Sequence, residues 1–112
     1  MNRIAEHIVE RLKYYNPYYM YAEQEALPYC VYEVQNESAI ATKHGIVGWK
    51  ADVTVYLAAS TEPGAQQLKE GVVEKLQERI QGYTIVIASM QPAFAEEQWL
   101  WKIDFSVTQH FN

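Results

Sequence analysis

The chain has 112 residues, which suit one domain with a single hydrophobic core and are too few for two such cores. Its formal charge of −5 argues against nonspecific nucleic-acid binding, which depends on Lys and Arg displacing counterions from phosphates. A single cysteine, Cys30, excludes an intrachain disulfide and a zinc site built on several thiolates. No stretch reaches the ~18 apolar residues of a membrane span, and no secretion signal is recognisable, so we expect a soluble cytoplasmic protein.

The first fifteen residues carry apolar side chains at helical spacing. This pattern predicts an amphipathic helix over residues 3–15. Asn16 and Pro17 should end it, because proline cannot continue the helical hydrogen bonds and restricts the residue before it. The predicted apolar stripe consists of Ile4, Ile8, Leu12 and Tyr15.

A β-rich run at residues 29–34 predicts a short strand. Residues 35–47 then mix polar and small side chains with a glycine, which predicts a long, mobile hairpin loop. Long loops in small domains often carry function. We therefore expect Ile40, Lys43 and His44 in this loop to contact a partner.

The alternation of apolar and polar residues from Trp49 to Leu57 predicts a half-buried antiparallel strand. A hydroxyl N-cap at residues 60–61, with an acid and a proline after it, begins a second helix predicted over residues 62–81. Gly82 should stop this helix. Gly71 should mark a close approach to the sheet or to a neighbouring subunit. The predicted core stripe is Ala65, Leu68, Val72, Leu76 and Ile80.

Two further strands are predicted at residues 83–89 and 99–107, joined by a turn at residues 91–98. The element order is then α-β-β-α-β-β. This order predicts an α+β fold with an antiparallel or mixed four-stranded sheet and two helices on one face. Residues 1–112 should form one domain.

The sequence offers no constellation for catalysis or for binding a metal or cofactor. The three histidines, His7, His44 and His110, lack the spacing of metal ligands, so we expect them at the surface or at an interface. The adjacent Glu96 and Glu97, like the acids of the second helix, should be solvated and therefore unsuited to acid–base catalysis. Cys30 lies in an apolar strand, where a buried thiol is the usual outcome. We predict that the chain is not an enzyme.

An unusual local feature is a run of five tyrosines within eight residues, comprising Tyr14, Tyr15, Tyr18, Tyr19 and Tyr21. They could cover one end of the sheet with their hydroxyls in water. Alternatively, they could form part of a subunit interface, where tyrosine is enriched. The two readings are compatible, and the sequence leaves both open.

Four segments carry a family resemblance. They are LPYCVY at 27–32, ADVTVY at 51–56, the stripe Leu68, Val72 and Leu76 of the second helix, and WKIDF at 101–105. Together they span most of residues 27–107. They resemble the tail terminator family of long-tailed bacteriophages, also called tail completion or head–tail joining proteins. The resemblance implies an α+β fold and a hexameric ring that caps the tail tube and joins it to the DNA-filled head. No individual functional residue of the family can be placed on this sequence.

The resemblance also implies partners. These are further copies of the chain, the tail tube protein and the head–tail connector proteins, with DNA passing through the ring without sequence-specific binding and with no membrane. It implies a location in the host bacterial cytoplasm during assembly and then in the virion. An acidic ring suits the passage of DNA, because carboxylates repel phosphates.

In such a ring we expect one side of the interface to be the tyrosine segment, with Tyr14, Tyr18, Tyr19 and Tyr21 in contact. The other side would be the polar face of the second helix around Glu74, or the long loop. The main alternative is a monomeric peptide- or ligand-binding module that holds a partner on its sheet face or long loop. An enzyme is a third possibility. Oligomeric state separates the first two, and a buried ionisable pair would favour the third.

Overall fold

In the computed structural model, which describes residues 3–15, 17–19 and 28–111, helices and strands form an α+β fold. Helix α1 is followed at once by a short 3-10 helix at Lys13–Tyr15. The elements are α1 (Arg3–Leu12), β1 (Pro17–Tyr19), β2 (Tyr29–Thr42), β3 (Gly45–Ala59), α2 (Glu62–Gln77), β4 (Tyr83–Ala95) and β5 (Gln98–His110).

The described strands form one mixed sheet in the order β1-β2-β3-β5-β4. β1 pairs in parallel with β2, and all other pairs are antiparallel. The predicted α+β class is therefore confirmed, but the sheet has five strands rather than four, because it also contains β1, where the sequence analysis predicts no strand. Three residues are too few to show a period of two, and Pro17 is tolerated because it begins an edge strand.

The hydrophobic core lies between the helices and one face of the sheet. The alternations predicted in β3 and β5 are confirmed in the middle of both strands, whereas Trp49, Trp99 and Trp101 are only partly buried. The buried side chains of the central strands are Ala51, Val53, Val55, Leu57, Ile103, Phe105 and Val107, and those of the helices are Ile4, Ile8, Leu12, Ala65, Leu68, Val72 and Leu76.

Helix α2 begins as the sequence predicts and ends earlier. The Thr61 hydroxyl accepts a hydrogen bond from the Gly64 amide at 3.0 Å, which caps the first turn. The helix stops at Gln77, so Ile80 lies outside it and is partly exposed, contrary to the predicted stripe. Gly82, with φ of 91°, instead forms the turn before β4.

The side chain of Arg11 contacts the early end of α2. This guanidinium, in a residue only 5% exposed, donates from Nη1 to the carbonyls of Lys75 at 2.8 Å, Leu76 at 3.1 Å and Glu78 at 2.8 Å. The carbonyls of Lys75 and Leu76 lie in the last turn of α2 and that of Glu78 directly after it, where carbonyls have no partners within the helix itself. A cation there also interacts favourably with the helix dipole. Arg11 therefore caps α2 from α1.

The predicted long, mobile loop at residues 35–47 is wrong. Residues 29–42 and 45–59 form one continuous hairpin with register shifts at 35/38 and 40/41, and its turn is only Lys43 and His44. The outer part of this hairpin is exposed on both faces, so no apolar alternation marks it in the sequence. Gly45 has φ of 110°, which suits the end of the turn.

The predicted turn at residues 91–98 is likewise too long. β4 continues to Ala95, and the turn is the pair Glu96 and Glu97, with φ of 52° and 61°. Two consecutive positive φ angles are typical of the tight hairpin turns that match the twist of the sheet. The last residues of β4 are exposed, so they also lack the alternation that identifies a half-buried strand.

Gly71 marks a close approach within the chain rather than to the sheet or to a subunit. A Cβ atom at this position would lie 2.5 Å from the hydroxyl oxygen of Tyr15. The absence of a side chain on α2 thus lets the tyrosine that follows α1 pack across the helix.

Truncation of Phe105 should test the orientation of β5. Phe105 is 2% exposed and pairs with Val53 on one side and Ile87 on the other. Phe105→Ala should lower the free energy of unfolding by ~3 to 5 kcal/mol in urea melts, because it leaves a cavity. Ser106→Ala, on the opposite face, should change it by less than ~0.5 kcal/mol. A loss below ~1 kcal/mol for Phe105→Ala would contradict this packing.

Removal of the Arg11 guanidinium should destabilise the fold although it deletes no core side chain. Arg11→Met keeps much of the apolar stem but leaves carbonyls at the end of α2 without their donor. We expect a loss of ~2 to 3 kcal/mol in the free energy of unfolding. Arg79→Met, at an exposed position just after α2, serves as the matched control and should have little effect. Equal stability of the two variants would show that the cap contributes nothing.

Candidate assembly surfaces

The residues weighed above for catalysis, Cys30 and the pair Glu96 and Glu97, lie in different elements of the fold. Cys30 is 0% exposed, and burial raises the pKa of its thiol to about 12, so it is protonated at neutral pH and is a poor nucleophile. Glu96 and Glu97 are exposed at a hairpin turn. Among the described residues, no group of three or more His, Cys, Asp or Glu could hold a metal ion.

The three histidines lie in separate places. His7 stacks on Tyr83, His44 lies in the β2–β3 turn, and His110 is within 3.1 Å of the Thr84 hydroxyl. None of these pairs resembles a metal site or a proton relay. In the described part of the chain, neither helix has the length and apolarity required to cross a membrane.

The tip of the β2–β3 hairpin projects beyond the rest of the sheet. We call residues 40–47 the arm, because β3 and β5 pair only as far as Gly48 and His110. In the turn, the Thr42 hydroxyl accepts a hydrogen bond from the His44 amide at 3.1 Å. Ile46 is 51% exposed. The structure thus brings three predicted contact residues together on a paired strand end, namely Ile40, Lys43 and His44.

A groove lies on the helical side of the molecule, between α2 and β4, with a volume of about 460 Å³. Val73 and Met90 contribute its apolar surface, and acids dominate its rim. Of the lysines beside it, Lys69 lies 4.4 Å from the Trp101 ring centre and Lys75 pairs with Glu78 at 3.2 Å. The residues lining this α2–β4 groove are Lys69, Glu70, Val73, Glu74, Gln77, Glu78 and Met90.

Within the described residues, no ion pair within 4.0 Å involves Glu74. The Glu70 carboxylate accepts a hydrogen bond from the Gln66 amide at 3.1 Å, which is a neutral partner. The groove therefore presents negative charge that the chain itself does not balance.

β4 forms one outer edge of the sheet and contains no charged residue along its 13 residues. Val86 and Phe94 are 59% and 58% exposed, and Met90 is also exposed. Natural proteins usually protect edge strands with charges, prolines or bulges. β4 has Pro92 and a register shift after Ile87, but no charge. The sequence prediction missed this surface because it ended the strand at residue 89.

The described tyrosines of the run at residues 14–21 have different environments. Tyr15 packs on Gly71, whereas Tyr14 is 75% exposed. Tyr18 and Tyr19 belong to β1 and meet tyrosines of β2 edge to face, with ring centres 6.2 Å from Tyr29 and 5.4 Å from Tyr32. Tyr21 lies outside the described residues.

These surfaces lie at opposite edges of the sheet. β1 and β2, with the arm, are at one side, and β4 with the α2–β4 groove is at the other. The predicted contact residues divide accordingly: Tyr18, Tyr19, Ile40, Lys43 and His44 fall on the first side, and Glu74 falls on the second. Tyr14 follows α1 and belongs to neither strand edge.

A second concave surface lies near the start of α2 and was not predicted from the sequence. Phe94 and Trp99 meet there with ring centres 4.7 Å apart, and Trp101 and Pro92 extend the aromatic lining. The cleft has a volume of about 300 Å³. Its two tryptophans face the helices, as the alternation in β5 indicates, but the outer half of β4 that completes the cleft has no such signal.

The face of the sheet opposite the helices is polar at its centre. The Asp104 carboxylate accepts hydrogen bonds from the Thr54 hydroxyl at 2.7 Å and the Ser89 hydroxyl at 3.1 Å. Lys102 lies 4.0 Å from the same carboxylate. These contacts link three adjacent strands, and they satisfy the charge locally rather than directing it at a ligand.

His7 joins α1 to the start of β4. Its ring stacks on Tyr83 with centres 3.6 Å apart, and its Nε2 accepts a hydrogen bond from Arg11 Nε at 2.7 Å. Burial, reinforced by the positive charge of Arg11 and opposed by Glu10, lowers the pKa of His7 from 6.5 to about 4. His7 is therefore neutral in the folded protein at neutral pH. This agrees with the hydrogen bond from Arg11, because Nε2 can accept it only when it carries no proton.

This pKa predicts acid sensitivity. Between pH 6.5 and about 4 the unfolded chain binds a proton at His7 that the folded chain does not, so the free energy of unfolding falls as the pH is lowered. Above pH 6.5 the contribution is fully present. Urea melts across this range should show a shallower pH dependence for His7→Gln, whose amide oxygen still offers an acceptor. His44→Gln, at an exposed position, should keep the original slope. Identical slopes for all three proteins would contradict the assignment.

Comparison with known proteins adds evidence on the fold alone. No family model and no curated protein matches the chain. Thirty-one chains of solved structures match it. One of them, a protein without a descriptive name, is 12% identical, with a TM-score of 0.55 over 98% of this chain and 89% of its own length. This likeness shows that the same arrangement of helices and strands occurs in a solved protein.

Proposed function

We propose that this chain is a non-enzymatic structural subunit that assembles with copies of itself into a ring, terminating a phage or prophage tail tube and joining the tail to the head. The observation that carries the proposal is the presence of two different exposed surfaces at opposite edges of one sheet. The identity of the ring follows from the family resemblance given above.

Two different surfaces favour a closed ring over a simple dimer. A two-fold dimer uses the same patch on both subunits, whereas a head-to-tail contact joins two different patches and repeats until the ring closes. β2 supplies one side, with β1 paired to residues 30–32 and the arm extending the opposite end of the strand from residue 40. β4 with the α2–β4 groove supplies the other. Six copies would close the ring if the resemblance extends to stoichiometry.

Exposure of β4 supports the proposal on energetic grounds. An edge strand with no charge and with Val86 and Phe94 in water is a surface for association. In a ring, this edge would be covered by the next subunit. The tail tube and the head–tail connector proteins would then meet the two rims of the ring.

The charge balance also agrees with this role. A net charge of −5 in each copy makes a ring strongly acidic, so DNA passing through its lumen is repelled rather than retained. The subunit would be made in the host bacterial cytoplasm and remain in the finished virion.

One observation favours a second candidate, a monomeric peptide- or ligand-binding module. The aromatic cleft formed by Phe94, Trp99 and Trp101 is concave and apolar, as small-ligand sites usually are. Such a protein would remain a monomer at all concentrations, whereas a ring subunit would not.

Mass in solution tests the ring. Light scattering up to millimolar concentration, followed by negative-stain images, should show an integer multiple of the 13.0 kDa subunit, either alone or after addition of purified tails. Val86→Lys should block assembly, because a charge on an edge strand opposes its pairing. The double variant Tyr18→Ser with Tyr19→Ser should weaken it from the other edge.

Gln67→Lys adds the same charge at an exposed position of α2 and serves as the matched control, with assembly retained. Circular dichroism of each variant would verify that the fold is preserved. A chain that stays monomeric at millimolar concentration and also fails to bind tails would contradict the ring proposal and leave the binding module in its place.

A further inference from the structure

We infer that the arm of one copy docks in the α2–β4 groove of the next, with Lys43 against Glu74 and Ile46 against the apolar surface of Val73 and Met90. The inference rests on the proposed ring and goes beyond it by naming the contact. The occupant of the groove is a second copy of this chain.

The first argument for this contact is the position of the arm and the groove in the sheet. The arm extends from β2 and β3, and the groove borders β4 at the opposite edge of the same sheet. The arm projects along the strands, beyond the paired end of β5, whereas the groove lies beside β4 near the middle of the sheet, where Met90 pairs with Ile103. In a ring that brings the arm to the groove, the strands of each copy therefore point toward the next copy.

The second argument is that the arm and the groove have opposite charges. Lys43 lies at the exposed tip of the arm, and in the part of the chain described here it forms no ion pair within 4.0 Å. The groove has an excess of carboxylates, and Glu74 is likewise unpaired. Opposite charges on the two surfaces guide the partners together and fix their register. The same acidic rim disfavours nucleic acid as an occupant.

The third argument is that both the arm and the groove expose apolar side chains. Ile46 is 51% exposed on the arm, next to the exposed Val47. Met90 is 43% exposed at the groove, where it lies beside Val73. A groove of about 460 Å³ admits the side chains of a hairpin turn. Docking would remove both apolar surfaces from water at once, around a polar contact that sets the orientation.

Cysteine cross-linking tests the contact directly. Lys43→Cys mixed with Glu74→Cys should give disulfide-linked dimers under mild oxidation, whereas either variant alone should not, because the two positions lie on different patches. A chain with both substitutions should give a ladder that ends at the ring. Native Cys30 is buried and does not contribute. Ser60→Cys mixed with Glu6→Cys, two exposed positions outside the arm, β2, β4 and the groove, measures chance collisions.

Charge exchange provides the second measurement. Lys43→Glu and Glu74→Lys should each weaken self-association about tenfold, a change of ~1.4 kcal/mol, and the two substitutions combined in one chain should restore it. High salt should reduce the difference between the wild type and the single variants.

The outcomes separate this contact from the proposed function. Rings in light scattering without specific cross-links, or with no rescue by the combined charge exchange, would overturn the arm–groove contact and leave the ring intact. Cross-linking of Lys43→Cys to itself as fast as to Glu74→Cys would show a two-fold contact between arms instead. Monomers at millimolar concentration that also fail to bind tails would overturn both proposals.

Discussion

The cap that Arg11 places on α2 is the interaction on which the arrangement of the helices depends. One guanidinium satisfies carbonyls at Lys75, Leu76 and Glu78, and its Nε holds His7, which stacks on Tyr83 at the start of β4. Hydrogen bonds from a charged donor are stronger than neutral ones, especially where water is excluded. Two helices and an edge strand are therefore tied together at one point. Since Glu78 and Gln77 both border the α2–β4 groove, the cap also fixes one end of that groove.

The sheet is longer than the helices that cover it. The molecule measures 52 × 25 × 21 Å, and its core covers the middle of the sheet, so that the tips of the β2–β3 and β4–β5 hairpins extend beyond it at opposite ends. Beyond the core, the strands keep their backbone hydrogen bonds but lose contact with the helices. Their side chains are then not needed for packing. Under the proposed function, this separates the requirements of folding, which fall on the centre of the sheet, from those of assembly, which would fall on its ends and edges.

How much of the fold could be predicted from the sequence follows from this separation. Val53 and Phe105 lie where one face of a strand is buried and the other is wet, so alternation reveals both the strand and its orientation. The outer hairpin segments, such as Ser38–Thr42 and Met90–Ala95, are wet on both faces and give no such signal, and they were assigned to loops. β1 was missed because three residues show no period. The role of Arg11 could not be found, because its acceptors are backbone carbonyls at least 64 positions away.

Of the candidate surfaces, the sequence predicts the exposure of single residues but not how the fold groups them. Lys43 and His44 stand out as polar residues around a turn, and Glu74 as part of a polar helix face, so the sequence indicates them as exposed. It does not reveal that they belong to opposite edges of one sheet, because this depends on the strand order. The uncharged edge of β4 was missed because the sequence analysis predicts only the first half of this strand. Whether these residues form an interface remains a prediction.

The long separation between Arg11 and its acceptors also has a consequence for the order of events during synthesis. α1 leaves the ribosome early, yet the carbonyls that anchor it are made 64 to 67 residues later, which takes roughly 3 to 13 s at bacterial or eukaryotic rates. Until then, Ile4, Ile8 and Leu12 have no complete core to enter. β4, which follows α2 directly, is made only after those carbonyls exist. The anchor for the helices is thus available before the uncharged edge emerges, so α1 and α2 can be joined before β4 pairs with β5.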